Sequence, residues 1–277
     1  MAPRSPPPPM PELPEVEIAA RRLREWLVGR RVTRVVCADE RLLAGASEAA
    51  WNAALVGRRV RAVCRRGKFL LLDFAGDTTA IAHLRMTGRF RREPATAEPP
   101  RSARLFLYDD AEWRVTFIDP RRLGTFRVVP TAAATAELAL GPDALLAPPT
   151  PARLGEIVRG RRASIKSLLM DQRLLAGLGN ICTSEILFRA GIAPDLPAGR
   201  LTEEQIERLA HEIPEYLRAA IAAQAARAIV YLGERGAVNP FALYGRAGEP
   251  CPRCGAPIRR RVIAGRSTYF CPSCQPG

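Results

Sequence analysis

The sequence predicts an α+β chain in three parts: a β-rich region behind a leading helix, a helical region, and a small metal-bound β-hairpin. Three observations carry this. Apolar residues leave helical spacing for short alternating or continuous runs after residue 30. They return to it beyond residue 152, and the chain closes on two Cys-x-x-Cys pairs. The boundaries read as a leader over 1–9, a β-rich domain over 10–130, an Ala-, Pro- and Thr-rich linker with one short helical turn over 131–152, a helical domain over 153–240 and the cysteine unit over 241–277.

In order along the chain, the leader MAPRSPPPP is an extended proline run with nothing apolar to bury. Glu15 to Leu27 places Val16, Ala19, Ala20, Leu23, Trp26 and Leu27 on one helical face and stops at Gly29. Strands follow in RVTRVVCA, RRVRAVCRRGKFLLLDF, TTAIAHLRMTGRF, ARLFLYDD and WRVTFIDPRRLGTFRVV, with a helical insert, SEAAWNAALVG, and turns at Gly76-Asp77 and Asp109-Asp110. Helices are expected over Ala152–Arg159, Ile165–Asp171 and Ile181–Ala190, then a long one opened by the capping box Thr202-Glu203-Glu204-Gln205, with Pro214 expected to kink or break it.

Composition narrows the function. Hydrophobic residues at 47% and charged residues at 25% describe a folded soluble protein. No window approaches a membrane span, and the first nine residues hold no apolar signal region, so a cytoplasmic location and no membrane partner are expected. Two histidines, His83 and His211, are too few for a histidine metal site and read as structural. The net charge of +14, from 42 Lys+Arg against 28 Asp+Glu, points to a polyanion, most often nucleic acid. Lys68 and Lys166 are the only lysines; the arginine bias fits a GC-rich genome, which leaves two retained lysines to explain.

Cys37, Cys64 and Cys182 stand singly in apolar surroundings and read as small buried hydrophobes. Cys251, Cys254, Cys271 and Cys274 form C-P-R-C and C-P-S-C around a hairpin with its turn at Ala264-Gly265, the spacing of a structural zinc site. Four thiolates close the coordination shell, so the ion holds the hairpin and does no chemistry. The hairpin presents Arg259, Arg260, Arg261 and Arg266.

Several motifs occur together and in order: PELPEVE from Pro11, RRGKFLLL, HLRMTG, DPRRLG, GLGNICTSEILFRAGI, and YGRAGEPCPRCG through GRSTYFCPSCQ. From Met10 to Gln275 the chain resembles the bacterial formamidopyrimidine-DNA glycosylases. The resemblance implies an N-terminal β-sandwich, a central helix-two-turn-helix and a C-terminal zinc finger. It implies a monomer acting on damaged bases in double-stranded DNA, with one structural zinc. It also implies a nucleophile at Pro11, whose secondary amine attacks C1′, and a general acid at Glu12. An α-amino group of pKa about 8 is roughly 10% neutral at pH 7, far more than an ordinary lysine. Lys68 and Arg266 match residues that grip phosphate and assist elimination. Met86, Arg121 and Leu123 match the wedge that fills the gap left by an extruded nucleotide. Arg161, Lys166 and Asn180 match the phosphate-binding part of the helical domain.

Four departures bear on these expectations. Ten residues precede Pro11, which makes its nitrogen an amide; translation from Met10, cleavage of the leader, or absence of this lyase chemistry would each account for them, and Met10-Pro11 favours the first. Leu123 stands where most relatives carry Phe. PPRSARL lacks the histidines common before the DD turn, with Arg101 as a substitute DNA contact. The segment between Ala225 and Tyr244 is shorter than the loop that caps an oxidised purine. An oxidised-pyrimidine or abasic-site preference, or a non-catalytic zinc protein that binds damaged DNA, therefore stands as the alternative.

Overall fold

The computed structural model describes residues 11–225 and 238–276. The leader and residues 226–237, most of the segment expected to be a shortened capping loop, lie outside the described residues. The described chain forms two compact units, one of residues 11–139 and one of residues 140–225 and 238–276, so that the stretch 131–152 divides between them.

The N-terminal unit opens with α1 (Leu13–Leu27), whose first turn is organised by the Glu15 carboxylate accepting the Glu12 amide N–H at 2.9 Å. Its apolar face is the one the spacing predicts, and the chain leaves it through Gly29 at φ 85°. Next come β1 (Val32–Cys37) and α2 (Glu48–Leu55), which is capped by the Ser47 hydroxyl. The remaining strands are β2 (Val60–Arg66), β3 (Phe69–Phe74), β4 (Thr78–His83), β5 (Arg89–Pro94), β6 (Ala103–Asp109), β7 (Trp113–Ile118) and β8 (Thr125–Pro130). They form two antiparallel four-stranded sheets, ordered β1-β6-β7-β5 and β2-β3-β4-β8. Leu23, Trp51, Val63, Phe74, Phe117 and Phe126 belong to the core they share with α1 and α2.

Register brings the connecting loops to one end of these sheets. Arg66 pairs with Phe69, Phe69 with His83, and His83 with Thr125; in the other sheet Arg89 and Ala103 both pair with Ile118. The turn at Lys68, the loop through Met86, the loop through Arg121 and Leu123, and the approach through Arg101 therefore share that end.

Three expectations are corrected here. The runs 58–74, 78–90 and 113–129 are each two strands around a turn. Cys64 is exposed and Cys37 half-buried, because β2 turns Val63 and Arg65 inward and Cys64 to the opposite face; Cys182 is buried as expected. The linker holds two short helical turns, α3 (Thr131–Ala134) and a 3-10 turn at Ala136–Leu138.

In the C-terminal unit, α4 (Pro151–Val158) and α5 (Ile165–Leu169) are capped by Thr150 and Ser164, and α6 (Asn180–Ala190) ends at Gly191 in the left-handed region. The capping box of α7 (Glu203–Ala225) forms in both directions between Thr202 and Gln205. Pro214 does not break α7, which runs through it with the proline buried on the packed face, so packing outweighs the lost hydrogen bond. The hairpin β9 (Arg259–Ile263) and β10 (Arg266–Phe270) turns through Ala264 and Gly265, both at positive φ. No described helix is long and apolar enough to cross a membrane.

Candidate active site and nucleic-acid interface

Pro11 and Glu12 sit buried at the start of α1, with Glu12 only 3% exposed. Their placement relative to Lys68 is set by one side chain that the sequence reading missed. Arg65, 5% exposed, donates from Nε to Glu17 of α1 at 2.8 Å and from Nη1 to the Gly67 carbonyl at 2.9 Å. Helix and turn are thereby tied together, and Arg24 adds two bonds from α1 to the Val63 carbonyl. Lys68 follows Gly67, whose φ of 57° makes the turn. His83, read as structural, is beside it: its ring meets Phe69 edge-on at 4.6 Å and its Nδ1 accepts the Arg85 amide N–H. Burial, with the charges of Arg85 and Lys68, lowers its pKa to about 3, so the imidazole is neutral.

The wedge candidates occupy two loops at the shared end. Met86 is half-buried, Arg121 is exposed, and Leu123 leaves 43% of an apolar residue in solvent. Asp119, fully buried, braces both loops. One carboxylate oxygen accepts the Thr87 hydroxyl at 2.5 Å and the Arg121 amide at 3.2 Å; the other accepts the Leu123 and Gly124 amides at 2.8 Å each. Side chains at Gly88 and Gly124 would collide with Phe117 at 2.6 Å, so both glycines are needed for close packing. Arg122, at φ 58°, pairs with Asp39, which Arg41 and Arg122 hold well below the usual carboxylate range. The Asp-Pro-x-x-x-Gly pattern in DPRRLG was the available signal for the brace. Arg101 is exposed just ahead of β6.

In the C-terminal unit, Asn180 is the first residue of α6, and its amide donates to the Ser267 carbonyl at 3.0 Å. Arg161 is exposed on the α4–α5 turn, and Arg266 is exposed where β10 leaves its turn. Lys166 is no surface cation: it is 1% exposed, with Nζ donating to Thr268 at 2.5 Å and Ser184 at 3.5 Å. It lies in the wall of a pocket of about 220 Å³ that Arg266 also lines. Glu185, another residue missed by sequence, accepts the Ala242, Leu243 and Tyr244 amides at 2.9 Å each and anchors the chain leading to the hairpin. Burial pushes its carboxyl up against those bonds.

Cys251, Cys254, Cys271 and Cys274 converge with all four sulfurs within 4.8 Å of one another. Tetrahedral Zn–S bonds of about 2.3 Å require S···S edges of about 3.8 Å. Cys251–Cys274 and Cys254–Cys271, at 3.9 and 3.5 Å, fit such an ion and are far beyond disulfide length. Crowding splits the thiols: the Ala256 amide and neighbouring thiols lower Cys254 to about 7, while burial and those thiols push Cys274 up to about 12. The donor set is that of a structural metal.

Residues 10–126 match the formamidopyrimidine-DNA glycosylase N-terminal domain, residues 140–230 its H2TH domain, and residues 248–277 the zinc finger found in FPG and IleRS. That succession, on this sandwich and four-cysteine cluster, defines a DNA-repair glycosylase with a zinc finger. The formamidopyrimidine-DNA glycosylase of Chloroflexus aurantiacus is 43% identical over 272 residues, covering 96% of this chain and 98% of the relative. That of Gluconobacter oxydans is 41% identical over 281 residues, covering 96% and 100%. The chain belongs to the formamidopyrimidine-DNA glycosylase family. Among solved structures it resembles Lactococcus lactis Fpg in complex with abasic-site DNA and with Fapy-dG DNA, each at a TM-score of 0.87 and 32% identity, covering 96% of this chain and 100% of the other.

Proposed function

We propose that this chain is a bifunctional glycosylase and abasic-site lyase of base excision repair, removing 8-oxoguanine and formamidopyrimidines from double-stranded DNA. The carrying observation is its identity of about 40% to glycosylases of that name across their whole length, with the family match starting at residue 10, one before Pro11. The Lactococcus lactis complexes with Fapy-dG and abasic-site DNA support the substrate class. The enzyme works as a cytoplasmic monomer, and one structural zinc on the four cysteines stabilises the hairpin that carries Arg266.

In the proposed reaction the mature chain begins at Pro11. Its neutral secondary amine attacks C1′, and the glycosidic bond breaks as the base leaves with a proton. Glu12, buried beside the nucleophile, is the acid that serves the departing base or the opening sugar. Cleavage of the C1′–O4′ bond, with a proton delivered to O4′, turns the adduct into a cationic iminium. Loss of a C2′ proton sends an electron pair towards it and expels the 3′ phosphate, and loss of the C4′ proton then expels the 5′ phosphate. Lys68 and Arg266 stabilise those phosphates, the guanidinium by charge rather than proton donation, given its high pKa. Met86, Arg121 and Leu123 fill the vacated stack, and Arg101, Arg161 and the start of α6 at Asn180 hold phosphates, while Lys166 supports that surface from inside through Ser184 and Thr268.

Borohydride trapping on duplexes bearing 8-oxoguanine or an abasic site tests this directly, alongside mass spectrometry of the native N-terminus. A covalent adduct is expected from chains that begin at Pro11. A mature N-terminus at Met1 or Ala2, or binding without any adduct, would overturn the catalytic reading in favour of a non-catalytic damaged-DNA binder.

A further inference from the structure

We propose that the N-terminal unit holds a second nucleotide pocket, away from the lesion, which takes a backbone phosphate of the bound DNA and stacks an adjoining base. The proposal rests on the functional reading above for the identity of the polyanion and for the place of the lesion.

Arg22, Arg89, Arg91, Arg92 and Arg101 line a pocket of about 580 Å³ whose described lining residues include no carboxylate. That volume falls within the range of about 300–1,000 Å³ typical of sites for small molecules. The nearest acid in sequence, Glu93, already binds the buried Arg114 at 2.9 Å and the Thr116 hydroxyl at 2.7 Å, leaving Arg91 a looser contact at 3.4 Å. A concave wall to which five arginines contribute, with no carboxylate among its described lining residues, favours an anion even though the Arg92 guanidinium stacks on Trp113, and the planar fork suits phosphate.

The pocket also offers aromatic surface. Trp26, half-buried, stands one turn beyond Arg22 on the same stripe of α1, and Phe90 of β5 also lines the pocket with its ring packed against Phe117 and Phe126. An aromatic face beside arginines is the arrangement that holds a nucleotide without reading its sequence. Pro120 on the rim immediately precedes Arg121, and Arg89 starts β5 just after the Met86 loop, so DNA engaged by the wedge passes this pocket. From Glu12 to Arg22 and Trp26 along α1 is about 15 to 21 Å at about 1.5 Å per residue. At about 3.4 Å per base step the nucleotide bound there is roughly four to six steps from the lesion.

Fluorescence anisotropy with the full chain and a duplex carrying a non-cleavable abasic analogue tests this, comparing wild type with the double variant Arg22→Gln, Arg91→Gln over a salt series. The variant should bind roughly five- to tenfold more weakly, with a salt slope smaller by about 1 to 2. Neutral methylphosphonate linkages four to six steps from the lesion, placed first in the damaged and then in the complementary strand, identify the phosphate. In one strand they should weaken wild type by the same factor and abolish its advantage over the variant. Equal affinity and slope for the two proteins overturns the pocket, as does an advantage that survives neutralisation of each strand in turn. Wild type that ignores neutral linkages in both strands overturns it however the variant folds. If wild type binds lesion and undamaged duplexes equally, the repair reading fails while the pocket test still decides.

Discussion

A neutral imidazole beside Lys68 makes a pH prediction with a definite sign. His83 has a folded pKa of about 3 against an ordinary 6.5, so between those values the unfolded chain binds one more proton than the folded one. Stability is therefore complete above pH 6.5 and falls as pH drops toward 3. Denaturant titrations at pH 7.5, 6 and 5 should show this decline, and His83→Gln should flatten it. Lys68 answers to a different measurement. Lys68→Arg keeps the charge but replaces a compact ammonium with a wider fork, so strand cleavage should fall by roughly 10- to 100-fold while duplex affinity stays near wild type. Single-turnover cleavage set against binding would reveal the split; unchanged cleavage would make the lysine incidental.

At the scale of elements, the loops matter more than the strands that carry them. Asp119→Ala would strip the acceptor from one hydroxyl and three amides, each costing about 1–3 kcal/mol if left unpaired inside the fold. A thermal midpoint lowered by several degrees is expected, together with loss of the fluorescence rise from 2-aminopurine placed beside the lesion, because the wedge no longer holds its shape. Asp119→Asn should retain part of both. Removing the metal acts on another element: a thiol-competing chelator, or Cys254→Ser, should release one zinc per chain and abolish duplex binding, as metal analysis and anisotropy would record. The helical spacing of α1, the capping box of α7 and the cysteine hairpin were all legible because each depends on residues a few positions apart. Three runs that read as single strands break at Gly67-Lys68, at 84–88 and at 119–124, the turns that carry candidate site residues. Part of what holds these turns lies far along the chain, Arg65 with Glu17 and Asp119 with Thr87, and no local pattern announces those pairs.

For the molecule as a whole, +14 sets the expectation for long-range behaviour. If Arg121, Arg161 and Arg266 each neutralise one phosphate, the plot of log affinity against log salt should slope by about −2.7, and the arginine pocket would steepen it further. A slope near −1 between 50 and 200 mM salt would leave most of the arginine excess to genome composition. Motif order made the family legible in the sequence, but the internal position of Lys166 was not, since buried and exposed lysines look alike in a helical run. Its ammonium joins α5 to Ser184 on α6 and to Thr268 on β10. Opening any one of these elements would expose a charge stripped of its hydroxyl partners. Helices and hairpin are therefore expected to open as one cooperative block, their amides exchanging with solvent in a common event that hydrogen exchange would record, rather than the zinc finger detaching alone.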